Sequence, residues 1–202
     1  MTPNRAPAPT WRSTLTTREI DLGAEPAAID AILRLRVRVW APQVPIALTV
    51  DDVADDFEPS ARHWGVFDGE NLVASARLSI HQQIKDVPEA PCLFGVFSNS
   101  PPTPIGFLSR LVVAPEYRGR GLGRQLDAIR ICVAESSACQ SLLALVFDVS
   151  GEARVRQLGS FGFTAQGREQ RDTHPKFSQL DAPIVLLRVI NPQNGIQGVA
   201  AP

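Results

Sequence analysis

The chain is poor in the residues that many functional classes require. Among its 202 residues are three cysteines, Cys92, Cys132 and Cys139, which fall in no metal-ligand spacing. An odd cysteine count also argues against a disulfide framework, and Cys132 reads as a packing residue. No metal site is expected. No apolar run reaches the length of a membrane span, and the N-terminus lacks the apolar core of a secretory signal. A soluble, cytoplasmic protein without a membrane partner is the expectation. Charge of one sign is missing too: 20 basic against 21 acidic residues give a net charge of -1, so no nucleic acid partner is indicated. There is no internal repeat, and Tyr117 is the single tyrosine. At this length the chain can bury one sizeable core. One domain over residues 16–190 is expected, with disordered tails at 1–15 and 191–202, the first rich in Pro, Ala and Thr.

What is present centres on Leu108 to Arg124. Leu108 to Val113 is a mostly apolar, β-branched run that reads as a buried strand, and Pro115 ends it because proline cannot continue a central ladder. Gly119, Gly121 and Gly123 follow, and Leu122, Leu126, Ile129 and Val133 then recur at helical spacing. The glycines therefore lie at a helix N-terminus, where unpaired N–H groups and the positive dipole end suit a phosphate. Arg118, Arg120 and Arg124 add charge around the loop. Two other phosphate loops are excluded. The Gly-Lys-Ser/Thr of a Walker loop is missing, and the glycines fall as G-x-G-x-G, not the G-x-G-x-x-G of a dinucleotide site.

Around this stretch, Thr16 to Leu22 reads as an edge strand and Ala27 to Trp40 as a helix stopped by Pro42 and Pro45. The helix stripe is Ile29, Ile32, Leu33, Val37 and Trp40, with Arg34 and Arg38 on the solvated side. Arg36 falls inside the stripe, where it needs either a structural carboxylate or a polar pocket. Asp51, Asp52, Asp55, Asp56 and Glu58 form an acidic run, read as a solvated loop; an anionic lid over a cationic substrate fits as well. His63 to Phe67 and Leu72 to Ile80 flank the Asp68-Gly69 turn of a hairpin. Leu72, Ala74, Ala76, Leu78 and Ile80 share one face of its second strand, and Arg77 lies on the other. His63 and His81, at strand ends, read as structural or solvated. Residues 82–106 form a long proline-punctuated connection, taken as part of an acceptor-binding wall. Ser141 to Val149 is a buried strand, Glu152 to Leu158 a short helix before Phe161-Gly-Phe163, and Ala182 to Ile190 a last strand. Hairpins first and strand–helix–strand later give an α+β sheet with helices on both faces.

The string Arg118-x-x-Gly121-x-Gly123, with Leu111-Val-Val-Ala-Pro115 before it, closely resembles the acyl-CoA-binding motif of the GNAT (Gcn5-related) N-acetyltransferases. The order of elements over residues 16–190 agrees with that family. The resemblance implies a mixed sheet of six to seven strands, splayed between the fourth (Leu108 to Val113) and the fifth (Ser141 to Val149). The pantetheine arm of acetyl-CoA or another acyl-CoA then pairs along Leu111, Val112 and Val113. The amides of Arg118, Gly119, Arg120, Gly121, Leu122, Gly123 and Arg124 hold the pyrophosphate. The N–H of Leu111 faces the thioester oxygen. The implied activity is N-acyl transfer to a small-molecule amine, acetyl first, with a homodimer as a family possibility. Two usual features of the family are absent: Ser150 and Leu158 stand where many members carry Asn and Tyr. Ser109 is a substitute acid or a plain strand serine, so no catalytic side chain is assigned.

A second resemblance, to autoinducer (acyl-homoserine lactone) synthases, rests on Leu35-Arg36-x-x-x-Trp40, the Asp52/Asp55/Asp56 cluster, Arg77-Leu78 and Ser109-Arg110-Leu111. It implies an acceptor side lined by Arg36, Trp40, Arg77 and Arg110, and an alternative with a longer acyl-CoA or acyl carrier protein as donor. Against it, Phe107 replaces the expected glutamate, and a complete CoA cradle is foreign to those enzymes. Buried ion pairs of Arg36 or Arg110 with the acidic loop are the structural alternative. Loss of the Tyr and Asn leaves a third possibility, a GNAT domain that binds acyl-CoA without turnover.

Overall fold

A computed structural model describes residues 15–44, 46–93, 95–147, 151–168 and 183–190. The elements run β1 (Leu15–Ile20), α1 (Ala28–Trp40), α2 (Val50–Val53), β2 (Arg62–Asp68), β3 (Asn71–His81), α3 (Ala90–Leu93), β4 (Ile105–Val113), α4 (Leu122–Ser136), β5 (Ser141–Val146), α5 (Gly151–Gly159), β6 (Thr164–Arg168) and β7 (Ile184–Val189). Seven strands form one sheet in the order β1-β2-β3-β4-β5-β7-β6. Every pair is antiparallel except β4 with β5. This is the mixed, splayed sheet expected from the sequence. The tail readings lie outside the described residues, except that Leu15 already belongs to β1. None of the described helices is long and apolar enough to cross a membrane.

Helices cover both faces because the strands alternate. Ala74, Ala76, Leu78 and Leu108 pack with Leu122, Leu126 and Ile131 of α4 on one side. On the other, Val112 and Ala114 meet Leu35 and Val39 of α1, while Phe107 and Leu143 meet Val87 and Leu93 of the β3–β4 connection. That connection is no bare loop, since it holds a 3-10 turn at Ile84–Asp86 as well as α3.

Bulges re-aim several side chains. Between Val66 and Phe67 the β2–β3 register shifts, so Leu72 packs toward Val112 and not beside Ala74 as the simple alternation expects. Ile80, expected on the buried face, is exposed. The buried stripe of α4 is also rotated from the expected one. Asp127 and Arg130 are fully buried, Ile129 and Val133 only partly, and Cys132 is exposed and not a packing residue.

Candidate active site

Strand β4 is paired with β5 only from Ile105↔Ser141 to Leu108↔Ala144; β4 then runs on to Val113 and β5 to Val146 with no further pair. On its other edge, Ser75 pairs with Val112 and Arg77 with Ser109, so Ala76 alone faces both Arg110 and Leu111. This is a β-bulge, and Arg110 takes the left-handed conformation within it, at φ 55°. The bulge removes Leu111 from the β3 ladder at the point where β5 has already left. Its backbone is thereby offered to a third, extended partner.

At the far end of β4, Ala114 N–H still donates to Val73 O at 2.8 Å before a 3-10 turn at Pro115–Tyr117. Gly121 is the N-cap of α4 with φ 79°, and Gly119 has φ 75°. Neither has a heavy atom within 4 Å of where a Cβ would stand. Positive φ and open space above a helix N-terminus fit a pyrophosphate. One expected amide is engaged: Arg118 N–H donates to Pro115 O at 3.3 Å, leaving the amides from Gly119 to Arg124 for the cradle. Arg118 Nε also reaches Val113 O at 3.3 Å, Arg120 lies over the Tyr117 ring, and Arg124 donates to Ser160 Oγ at 2.6 Å.

The four residues expected on the acceptor side converge at the same bulge, and the acidic run supplies what they bind. Arg36 is 1% exposed and forms a bidentate pair with Glu58. Arg77 is wholly buried; it donates to both oxygens of Asp55, at 2.5 and 2.9 Å, to Glu58 Oε1 at 2.9 Å and through Nε to Ser109 Oγ at 3.0 Å. Arg110 Nη2 donates to Asp55 Oδ2 at 2.6 Å and lies 3.5 Å from Glu89 Oε1, with its guanidinium 5.8 Å from the Trp40 ring centre. Three guanidinium groups thus face three carboxylates. Burial opposes the charge of Asp55, but hydrogen bonds and charge from Arg77 and then Arg110 hold its carboxyl well below the usual carboxylate range. The acidic run is therefore solvated only in part: Asp51 and Asp56 are exposed, but Glu58 is buried and Asp55 half-buried, and the structural ion-pair alternative describes Arg36 and Arg110 correctly. His63 is buried with Nε2 2.9 Å from Glu58 O, and burial pushes its pKa down. His81 is buried too, with Nε2 2.8 Å from Ser79 Oγ.

On the α4 face, sequence reasoning missed a second buried cluster. Asp127 accepts from Arg130 Nη2 at 2.5 Å, from Arg154 and from Gln157 at 2.6 Å, tying α4 to α5. Arg130 Nη1 also donates to Arg77 O and Ser109 O, 2.9 and 3.0 Å away, stitching the two strands at the edge of the bulge. The available signal was a charged pair at i, i+3 inside an apolar helix. Leu158, where a tyrosine is usual, is fully buried in the core; Tyr117 instead donates to Asp68 Oδ2 at 2.5 Å, and Ser150 lies outside the described residues.

A family model, the acetyltransferase (GNAT) family, matches residues 29–163. The chain belongs to the GNAT acetyltransferase family. Its fold is similar to solved GNAT structures. The ribosomal-protein-S18-alanine N-acetyltransferase of Escherichia coli aligns at TM-score 0.61 and 16% identity, over 94% of this chain and 99% of that one. A GCN5-related N-acetyltransferase from Kribbella flavida aligns at TM-score 0.57 and 21% identity, over 87% and 98%. The Salmonella typhimurium protein yncA, solved with its cofactor acetyl-CoA, aligns at TM-score 0.57 and 16% identity, over 94% and 98%. No curated protein matches the chain. At these identities the likeness speaks for the fold alone.

Proposed function

We propose that this GNAT chain is a cytoplasmic N-acyltransferase that moves an acyl group, acetyl first, from a CoA thioester to a small-molecule amine. The observation that carries the reading is the bulge at Arg110, which sets Leu111 apart from β3 just beyond the last β4–β5 pair. The thioester supplies an electrophilic carbonyl carbon; the chain's part is to hold it and to stabilise the charge that develops. Leu111, Val112 and Val113 line the pantetheine arm as a strand would, and the amides from Gly119 to Arg124 hold the pyrophosphate. The N–H of Leu111 donates to the oxyanion as the amine attacks. Much of the acceleration comes from holding amine and thioester together. Arg36 and Arg77, both buried, fix Glu58 and Asp55, while partly buried Arg110 and Trp40 present the acceptor side.

A second reading, acyl-CoA binding without turnover, is favoured by one apolar side chain: Leu158 is buried where many GNAT members carry a tyrosine. Thiol release from acetyl-, octanoyl- and palmitoyl-CoA against an amine panel decides between them, with wild type beside Gly121→Trp. Acceptor-dependent release that the substitution abolishes supports the enzyme, and preference for a long chain supports the autoinducer-like alternative. CoA binding with no release on any amine supports the binding domain, and absence of CoA binding overturns both.

A further inference from the structure

Two non-glycine residues with positive φ face each other at the acceptor side of the bulge. Glu89, just before α3, has φ 59°, and Arg110 has φ 55°. Neither side chain is fully used. Glu89 Oε1 lies 3.5 Å from Arg110 Nη2, but Glu89 Oε2 and Arg110 Nε are both buried with no hydrogen-bond partner. Strained backbone persists where the surrounding structure imposes it, and such positions cluster at functional sites. A buried carboxylate oxygen without a donor is costly unless a donor arrives from elsewhere. The cation beside Glu89 is fixed: Arg110 is held from behind by Asp55, which Arg77 grips in turn. The residue after Arg110 is Leu111, the oxyanion donor of the reading above, on which this inference rests.

We propose that Glu89 is the catalytic residue that receives the acceptor amine, with Arg110 as its positioning residue. An amine reaches the site as an ammonium. Glu89 Oε2 takes a hydrogen bond from it and then one of its protons. The freed lone pair forms the C–N bond at the thioester carbonyl carbon while the oxygen's developing charge meets the Leu111 N–H. Collapse of the tetrahedral species breaks the C–S bond, the thiolate takes the second proton from nitrogen, and Glu89 returns its own to water. One amide and one free thiol result. The base thus comes from the β3–β4 connection and not from a strand of the sheet.

The test compares wild type with Glu89→Gln and Glu89→Asp. CoA affinity and amine affinity of the CoA-bound protein are read by calorimetry, folding by the thermal midpoint, and kcat and KM for the amine by thiol release. The expected result is unchanged CoA affinity, weaker amine binding and a loss of about 100-fold or more in kcat/KM for Glu89→Gln. The loss in Glu89→Gln should fall on kcat at saturating amine as well as on KM, and Glu89→Asp, which keeps the carboxylate, should lie between it and wild type. Should Glu89→Gln be unfolded, Glu89→Asp alone decides: a folded variant with wild-type CoA affinity and a lowered kcat supports the assignment, and a wild-type kcat overturns it. A Glu89→Gln enzyme within about threefold of wild type would overturn the assignment and leave acyl transfer standing. Wild type that binds CoA yet acylates no amine overturns both.

Discussion

Arg77 and Asp55 meet through two parallel hydrogen bonds of 2.5 and 2.9 Å, and the same Asp55 oxygen that takes the longer one also accepts from Arg110 at 2.6 Å. Asp55 is thus shared between a wholly buried cation and one at the edge of the site. Removing it leaves Arg77 with Glu58 and Ser109 and Arg110 with Glu89 alone, too few acceptors for two largely buried guanidinium groups. Asp55→Ala should destabilise the protein by about 3–5 kcal/mol, the usual cost of breaking a buried pair from one side. Asp55→Asn should be milder, because it keeps an acceptor for Arg77. Urea unfolding at neutral pH measures both, and an Asp55→Ala midpoint equal to wild type would show that water replaces the carboxylate.

This pair also shows why the sequence yields the fold more readily than the site. The apolar runs of β4 and β5, the break at Pro115 and the glycines before α4 are local signals, and each gives its element to within a few residues. Asp55 and Arg77 are 22 residues apart and Asp55 and Arg110 are 55 apart, so their meeting depends on how β3, β4 and the acidic segment are brought together. Glu89 carries no pattern at all; it becomes visible only through φ and an unpartnered oxygen. β6 was missed because all five of its residues are exposed, leaving no alternation to read. The bulge at Arg110 was equally silent, since the left-handed residue there is not glycine.

Asp127 offers a second comparison. It is wholly buried and holds two arginines and Gln157, whereas its partner Arg154 reaches solvent. Asp127→Ala leaves Arg130 buried with only carbonyl partners and should cost about 3–5 kcal/mol. Arg154→Ala leaves Asp127 with Arg130 and Gln157 and should cost about 1–2 kcal/mol. Chemical denaturation of the two variants checks the order. Equal losses would mean that the helix contact, not the buried charge, sets the cost.

Gly106 marks how closely α4 approaches the paired part of β4. A Cβ there would lie 2.8 Å from Leu142 Cδ2 and 3.1 Å from Ala134 Cβ. The leucine tip can turn away, but the alanine is fixed to the helix. Gly106→Ala should therefore lower stability by about 1–3 kcal/mol through overpacking. Gly69→Ala, at the hairpin turn with nothing near its Cβ, pays only the positive φ of 60°. Unfolding midpoints that rank Gly69→Ala as the more damaging would contradict this packing.

His63 gives the stability curve a slope above the range where carboxylates titrate. It is buried, its Nε2 hydrogen donates to Glu58 O at 2.9 Å, and burial holds its pKa below the usual histidine value. As pH falls below about 6.5 the unfolded chain takes up a proton that the native imidazole refuses, so stability declines until the lowered native pKa is reached. The Asp55 carboxyl acts further down. Its native pKa is depressed, so its contribution is complete above about pH 4 and is lost only as pH falls below that. The two windows are separable. His63→Phe should shrink the decline that begins near about pH 6.5, leaving the part due to His81, whose pKa burial also lowers, while lowering stability at every pH by leaving Glu58 O without its donor. The acid limb belonging to Asp55 should remain. Thermal midpoints taken from about pH 8 to pH 3 resolve both. A His63→Phe curve parallel to wild type throughout would mean that the native imidazole takes up its proton as readily as the unfolded one, against the burial argument.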